Sequence, residues 1–299
     1  MATVQITTWD EFKTALTATI TENTTYEIMN DIDVSGEILT SQIRLSSGTN
    51  YFNKTFNGGN HTINGLTTYA NINLFYLYNT YTVYTFNQLH FSNFMLSSAT
   101  FLYQDPGTDY AQPCRFNDCL FNGICSVMFA GTGRSNRYSI LTRCSFNVRC
   151  NSFITLPGVY IRFNDCYIII NPLAEYNHFV YTNYGSLTNS ANNYIGGTIH
   201  KQTYTTSSSD YMIYGIGECG GNNVFNCDVY IHNYSATTTY YISNSDGSAI
   251  CLFNKSKIMD STGNPVALVG DRTNCKGLTD TQMKSRTYIQ ENTNFPLYS

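Results

Sequence analysis

Arg115-Phe116-Asn117-Asp118-Cys119-Leu120-Phe121 is the clearest copy of a short phrase that returns along the chain. An apolar residue, an asparagine, a small residue and a second apolar residue follow one another, with turn-forming Asn and Asp between two short strand-forming runs. The phrase recurs in degenerate form at His61–Leu66, Thr85–Phe91, Leu141–Phe146, Arg162–Ile168, Asn193–Ile199, Val224–Val229 and Leu252–Ile258. With Gly65, Leu89, Cys119, Cys144, Cys166, Gly197, Cys227 and Ser256 as equivalent positions, the steps are 24, 30, 25, 22, 31, 30 and 29 residues. Such a repeat, with short strands and no helical period, fits one coil of a right-handed parallel β-helix whose coils stack strand on strand. The unequal steps imply loops of unequal length. The repeated Asn is expected to bond its amide along the axis at the bends. Cys119, Cys144, Cys166 and Cys227 are expected to form an inward structural column of small apolar groups.

On either side of the repeats the chain carries cap signals. Thr8 and Glu11 form a T-x-x-E capping box, and Trp9, Phe12, Ala15 and Leu16 share one face, which predicts a short helix over residues 8–20. Tyr26–Val34 and Thr55–Leu66 each read as strand, turn, strand. Thr279 with Gln282 forms a second box opening a short helix through about Arg286, and Pro296 ends the tail. The expected organisation is a capping segment over 1–25, the solenoid over 26–274 and a C-terminal cap and tail over 275–299. An all-β solenoid of this kind reaches 299 residues as one domain. Open strand edges invite further pairing, so lids at both ends are expected.

Composition narrows the function classes. Charged residues make up 12% and aromatic residues 15%, and the net charge of -4 comes without any basic run, which argues against a nucleic-acid partner. The run around Ile168, Ile169 and Ile170 falls far short of the roughly 20 apolar residues of a membrane-spanning helix, so no membrane association is expected. Asp10 and Glu11 stand where the apolar core of a signal peptide would lie, so the chain is expected to be made and kept in the cytoplasm. Ten cysteines in a long chain of this kind read as reduced, buried thiols. The spacings of Cys114, Cys119 and Cys125 do not match a zinc knuckle.

The candidates for chemistry are few. Glycoside hydrolysis needs two carboxyl groups facing one bond, and Asp118, Asp165 and Asp228 are the best stacked candidates. Outward Asp beside Asn at a bend is also ordinary turn chemistry, and another coil separates successive members of this set. Polygalacturonase-like and pectate-lyase-like catalytic signatures are absent. His61, His90, His178, His200 and His232 lack HExxH or HxH spacing and read as surface or bend residues, so no metal and no cofactor is expected. Gly58-Gly59, Gly196-Gly197 and Gly220-Gly221 read as turns rather than phosphate cradles. Tyr76, Tyr78, Tyr81, Tyr84 and Tyr240-Tyr241 are strand formers that could also stack on sugar rings or anchor an interface.

Thr7–Phe12, Tyr26–Asp33 and Thr55–Asn64 together resemble the opening of pectate-lyase-like β-helix proteins encoded by phages of gut and other low-GC bacteria. Gly277–Lys284 is similar to the segment that closes GLUG-type β-helical surface proteins. The resemblance implies a non-enzymatic virion component: a head fibre, capsid decoration or tail appendage. It implies assembly in the host cytoplasm, contact with other virion proteins or a host-surface glycan, and homo-oligomers, trimers among them. These are scaffold motifs and carry no activity. A tailspike-type polysaccharide depolymerase using Asp118, Asp165 or Asp228, and a bacterial surface adhesin, are the alternatives.

Overall fold

Strands stacked in parallel along one axis form the molecule, an all-β parallel solenoid with short helices at its two chain ends. The computed structural model describes residues 2–45, 51–78, 81–105, 114–131, 139–156, 160–173, 178–182, 191–202, 209–215, 222–232, 239–243, 250–266 and 275–292. Pro296, Cys219 and Gly220-Gly221 lie outside them.

The first ladder starts at Ala2–Ile6 and passes through Thr24–Ile28, Asn53–Asn57, Val83–Asn87, Cys114–Asn117, Ser139–Thr142 and Tyr160–Asn164. It continues through the first halves of Ala191–Gln202 and Asn222–His232 to Ile250–Asn254 and Cys275–Leu278. A second ladder runs from Ile32–Asp33 through Thr62–Asn64, His90, Leu120, Ser145–Cys150 and Tyr167–Pro172 to Ile258–Asp260. A third begins at Ile43–Leu45 and reaches Thr239–Ser243.

The Phe-Asn phrase marks the end of each first-ladder strand. Its aromatic residue points inward, where Tyr26, Phe56, Phe86 and Phe116 stack at centroid separations of 4.8, 5.1 and 4.9 Å. Leu141 interrupts the stack, which resumes at Phe163, Tyr194 and Phe225 with 4.9 and 4.6 Å. In the second ladder Phe91, Phe121 and Phe146 do the same, at 5.5 and 4.6 Å. Offset rings gain contact beyond their buried area, and outside the Leu141 coil the parallel register sets ring on ring within these stacks. The asparagines that follow form the expected axial amide chain: Asn57 donates to Glu27, Asn87 to Asn57 and Asn117 to Asn87, at 2.8–2.9 Å. Farther along, Asn254 donates to Asn226 and to Asp280, both at 3.2 Å.

One copy of the phrase sits elsewhere than its spelling suggests. Phe56 pairs with Phe86 and Asn57 with Asn87, so Thr55-Phe56-Asn57 supplies that coil's copy rather than His61–Leu66. The bend there holds four residues, Gly58 to His61, where the next coil uses two, Gln88 and Leu89. Gly65 belongs to the following bend, where its N–H donates to the Ser92 carbonyl at 2.9 Å. A Cβ on Gly58 would fall 2.2 Å from the Gln88 carbonyl oxygen, so the longer bend is crossed by glycine at the point where two coils touch.

Helix α1, Trp9–Thr17, shows the Thr8–Glu11 capping box and buries Trp9, Phe12, Ala15 and Leu16 against the solenoid core, with Phe12 edge-on to Phe56 at 5.4 Å. It closes the N-terminal end. Its last turn leaves carbonyls without helical partners. Lys54, an inward-facing and fully buried strand residue, donates its ammonium to the carbonyls of Ala15 at 2.7 Å, Leu16 at 3.0 Å and Ala18. Tyr84, one strand farther on, also donates to the Leu16 carbonyl, at 2.9 Å, and lies under the Lys54 ammonium. No sequence motif announces this arrangement.

At the other end the single expected helix is two: α2, Asp280–Lys284, opened by the Thr279–Gln282 capping box, and α3, Arg286–Asn292. Met283 and Ile289 build a second small core with Leu252 and Leu278. Phe253 points into the main core, so its neighbour Leu252 faces outward; the C-terminal helices therefore cover the outer face of the last strands.

Candidate functional site

The bends after the first-ladder strands hold Asp118, Asp165, three of the cysteines and Gly196-Gly197. Gln88, Asp118, Arg143 and Asp165 all hold left-handed backbone, with φ of 50°, 55°, 51° and 52°, and Gly196 takes the same place with φ 67°. In the first four bends a single left-handed residue turns the chain and aims the next residue, in order Leu89, Cys119, Cys144 and Cys166, into the core, whereas Gly196 is followed by a second left-handed residue, Gly197, with φ 71°. Asp tolerates this region better than most side chains, which explains its presence here without a catalytic role.

Arg143 joins Asp118 by a two-pronged ion pair, Nε to Oδ1 and Nη2 to Oδ2, both 2.7 Å. The guanidinium holds the Asp118 carboxyl below the usual range. Asp165 follows Arg143 in the same column, packed so closely on the next coil that a Cβ on Gly196 would meet its Oδ1 at 2.0 Å. Asp118 and Asp165 are thus separated by a cation. Asp228 lies on the far side of the bend, opposite Thr198 in register, and pairs with Lys257 at 3.8 Å. The three do not converge on one point. A general acid needs a carboxyl pushed up; the described carboxylates that are shifted, Glu11, Asp31, Asp33, Asp118, Asp260 and Asp280, are all held down by hydrogen-bond donors.

Cys119, Cys144 and Cys166 occupy the same inward position on three successive coils, followed by Gly197 and then Cys227. Their thiols donate to main-chain carbonyls one coil back: Cys119 to Phe86 and Cys144 to Phe116 at 3.4 Å, and Cys166 to Leu141 at 3.5 Å. Cys114, Cys125 and Cys150 are buried at other inward positions, and all seven of these thiols are free. Burial pushes Cys114 and Cys227 up to about 12 and Cys144 and Cys150 higher still, so these thiols are not nucleophiles in the folded chain. Among the described residues no three His, Cys, Asp or Glu side chains gather as a metal cluster.

The histidines divide. His61 lies 3.3 Å from Asp31. His200 and His232, 32 residues apart in sequence, meet across adjacent strands with Nδ1 and Nε2 separated by 2.9 Å. Short-range spacing motifs cannot find this pair, because the repeat length sets its separation. Among the tyrosines, Tyr76 stacks on Tyr103 at 5.6 Å, Tyr81 meets Tyr51 edge-on, and Tyr84 is the buried partner of Leu16. The side chains of Tyr78, Tyr240, Tyr241 and His178 lie outside the described ones. An open polar cleft of about 610 Å³ runs between α1 and the strand Ile43–Leu45, lined among others by Lys13, Thr17, Gln42 and Arg44.

Fold and site define the class: a parallel β-solenoid whose polar bend residues form columns along the axis. No family model and no curated protein matches the chain, so the likeness of its two ends to phage-encoded and GLUG-type proteins rests on the residues quoted above. No helix among the described residues is long and apolar enough to cross a membrane.

Proposed function

We propose that this chain is a non-enzymatic structural solenoid, a phage head fibre, capsid decoration or tail appendage, that meets other virion proteins or a host-surface glycan. The observation that carries the non-catalytic reading is the Asp118–Arg143–Asp165 column, in which a cation stands between the two stacked carboxylates. Two carboxyl groups working on one glycosidic bond face each other across open space for substrate and water. Here the same residue types turn the chain, and Arg143 is paired with Asp118. The virion assignment draws on the resemblance of Thr7–Phe12, Thr55–Asn64 and Gly277–Lys284 to phage and surface β-helix proteins. Assembly as a homo-oligomer, a trimer included, is part of the same proposal.

Two experiments test it. Mass spectrometry of purified particles is expected to find the chain in the virion, and its absence from particles would remove the phage assignment. Incubation with host capsule or cell-wall polysaccharide is expected to give no new reducing or unsaturated ends. Turnover that disappears in Asp165→Asn would establish a depolymerase in place of the structural reading.

A further inference from the structure

We propose that His200 and His232 form a two-imidazole site for a divalent transition metal of the copper(II) or nickel(II) class, open to solvent on the outer face of the solenoid. His200 lies on the strand Ala191–Gln202 and His232 ends the strand Asn222–His232. Their neighbours Ile199, Lys201 and Ile231 are buried, so strand alternation turns both imidazoles outward. Register pairs His200 with Tyr230 and His232 with Gln202, which makes the two histidines diagonal neighbours on one face.

The geometry selects the ion. His200 Nδ1 and His232 Nε2 are 2.9 Å apart. With metal–nitrogen bonds of about 2.0–2.1 Å, two nitrogens at that separation subtend about 90° at the ion. That is the angle between neighbouring ligands in square-planar and octahedral sites, which copper(II) and nickel(II) favour; a tetrahedral ion would want the nitrogens roughly 3.3 Å apart.

The His200 ring is also held. His200 stacks on Tyr230 at 4.9 Å with an interplanar angle of 11°, and Tyr167 meets it edge-on at 5.3 Å. A fixed ring loses little freedom on binding, as a preorganised ligand requires. Without metal one ring donates an N–H to the other; on binding, that proton moves to the far nitrogen of its own ring through solvent. Water, or a ligand group from a partner, completes the coordination shell.

Calorimetric titration of the full chain with Ni²⁺ at neutral pH is expected to show one saturable site, weakened at least tenfold in both His200→Gln and His232→Gln at unchanged melting temperature. Electron paramagnetic resonance of the unaltered chain with one equivalent of Cu²⁺ is expected to show splitting from two nitrogen donors, a readout that needs no variant. Absence of saturable binding, equal affinity in all three chains, or a copper signal without paired nitrogen ligands would each overturn the proposal.

Discussion

Replacing Lys54 by Met tests how the N-terminal helix is fastened. The substitution keeps the length of the side chain and removes its three donors, which leaves the carbonyls of Ala15 and Ala18 without that partner while Leu16 keeps Tyr84. Two terms oppose each other. Burial pushes the Lys54 ammonium from its ordinary 10.5 down to about 7, a cost to the charged form of about 5 kcal/mol. Three hydrogen bonds from a charged donor return roughly 1.5–3 kcal/mol each. The two nearly cancel at pH 7, where with a pKa near 7 the native side chain is only about half ammonium, so Lys54→Met is expected to change stability there by no more than about 2 kcal/mol, with α1 the first segment to open. The sign with pH follows from proton binding. With the folded pKa below the unfolded one, the unfolded chain holds the extra proton from about 7 to about 10.5, so this group makes the native protein more stable as pH rises through that window. Urea unfolding of both chains at pH 7 and pH 9, with amide exchange followed over Trp9–Thr17, is the assay. The wild-type advantage should be larger at pH 9. A variant as stable as wild type at both pH values, with α1 exchange unchanged, would refute the reasoning.

The core and bends give three further expectations. Phe121, fully buried between Phe91 and Phe146, should cost about 3–5 kcal/mol as Ala in equilibrium unfolding; a loss under 1 kcal/mol would mean the stack is not packed as described. Gly197→Ala combines a left-handed φ of 71° with a Cβ 2.1 Å from the Cys166 carbonyl, whereas Gly263→Ala has φ 86° and open space. Gly263→Ala should therefore lose only about 1–2 kcal/mol for backbone strain, and Gly197→Ala clearly more by the same melt, because its neighbour is main chain that cannot step aside. Maleimide should leave the seven buried thiols, Cys114, Cys119, Cys125, Cys144, Cys150, Cys166 and Cys227, unlabelled in the native chain and label them after denaturation without reductant; mass spectrometry reads the count.

Much of the fold was legible because the features that build it are local. Phe116-Asn117 states in two residues what faces the core and what bonds along the axis, and both capping boxes are spelled out within four residues. Misplacing the first copy at His61–Leu66 had a simple cause: bend length is not written in the strand pattern, and two extra residues carried the phrase past its register. Lys54 and the His200–His232 pair were invisible for a different reason. A lysine in a strand reads as an outward residue until the carbonyls of a helix 36–39 positions earlier are brought to it. Two histidines 32 apart are neighbours only once the coil length between them is known. The acidic residues showed the converse. Their stacking could be guessed, but Arg143 between them could be weighed only when its guanidinium was seen to reach Asp118.

One unbroken parallel stack from the first strand to the last fixes the distances along any single column. Thr3, Arg115 and Lys276 share one register column of the first ladder, with four strand steps between the first two and six between the last two. At about 4.8 Å per step, electron–electron resonance between spin labels on genetically encoded side chains should give backbone separations near 19 Å for Thr3–Arg115, 29 Å for Arg115–Lys276 and 48 Å for Thr3–Lys276. Additive distances in that ratio are the expected result. A Thr3–Lys276 separation no longer than the Arg115–Lys276 one would contradict the solenoid.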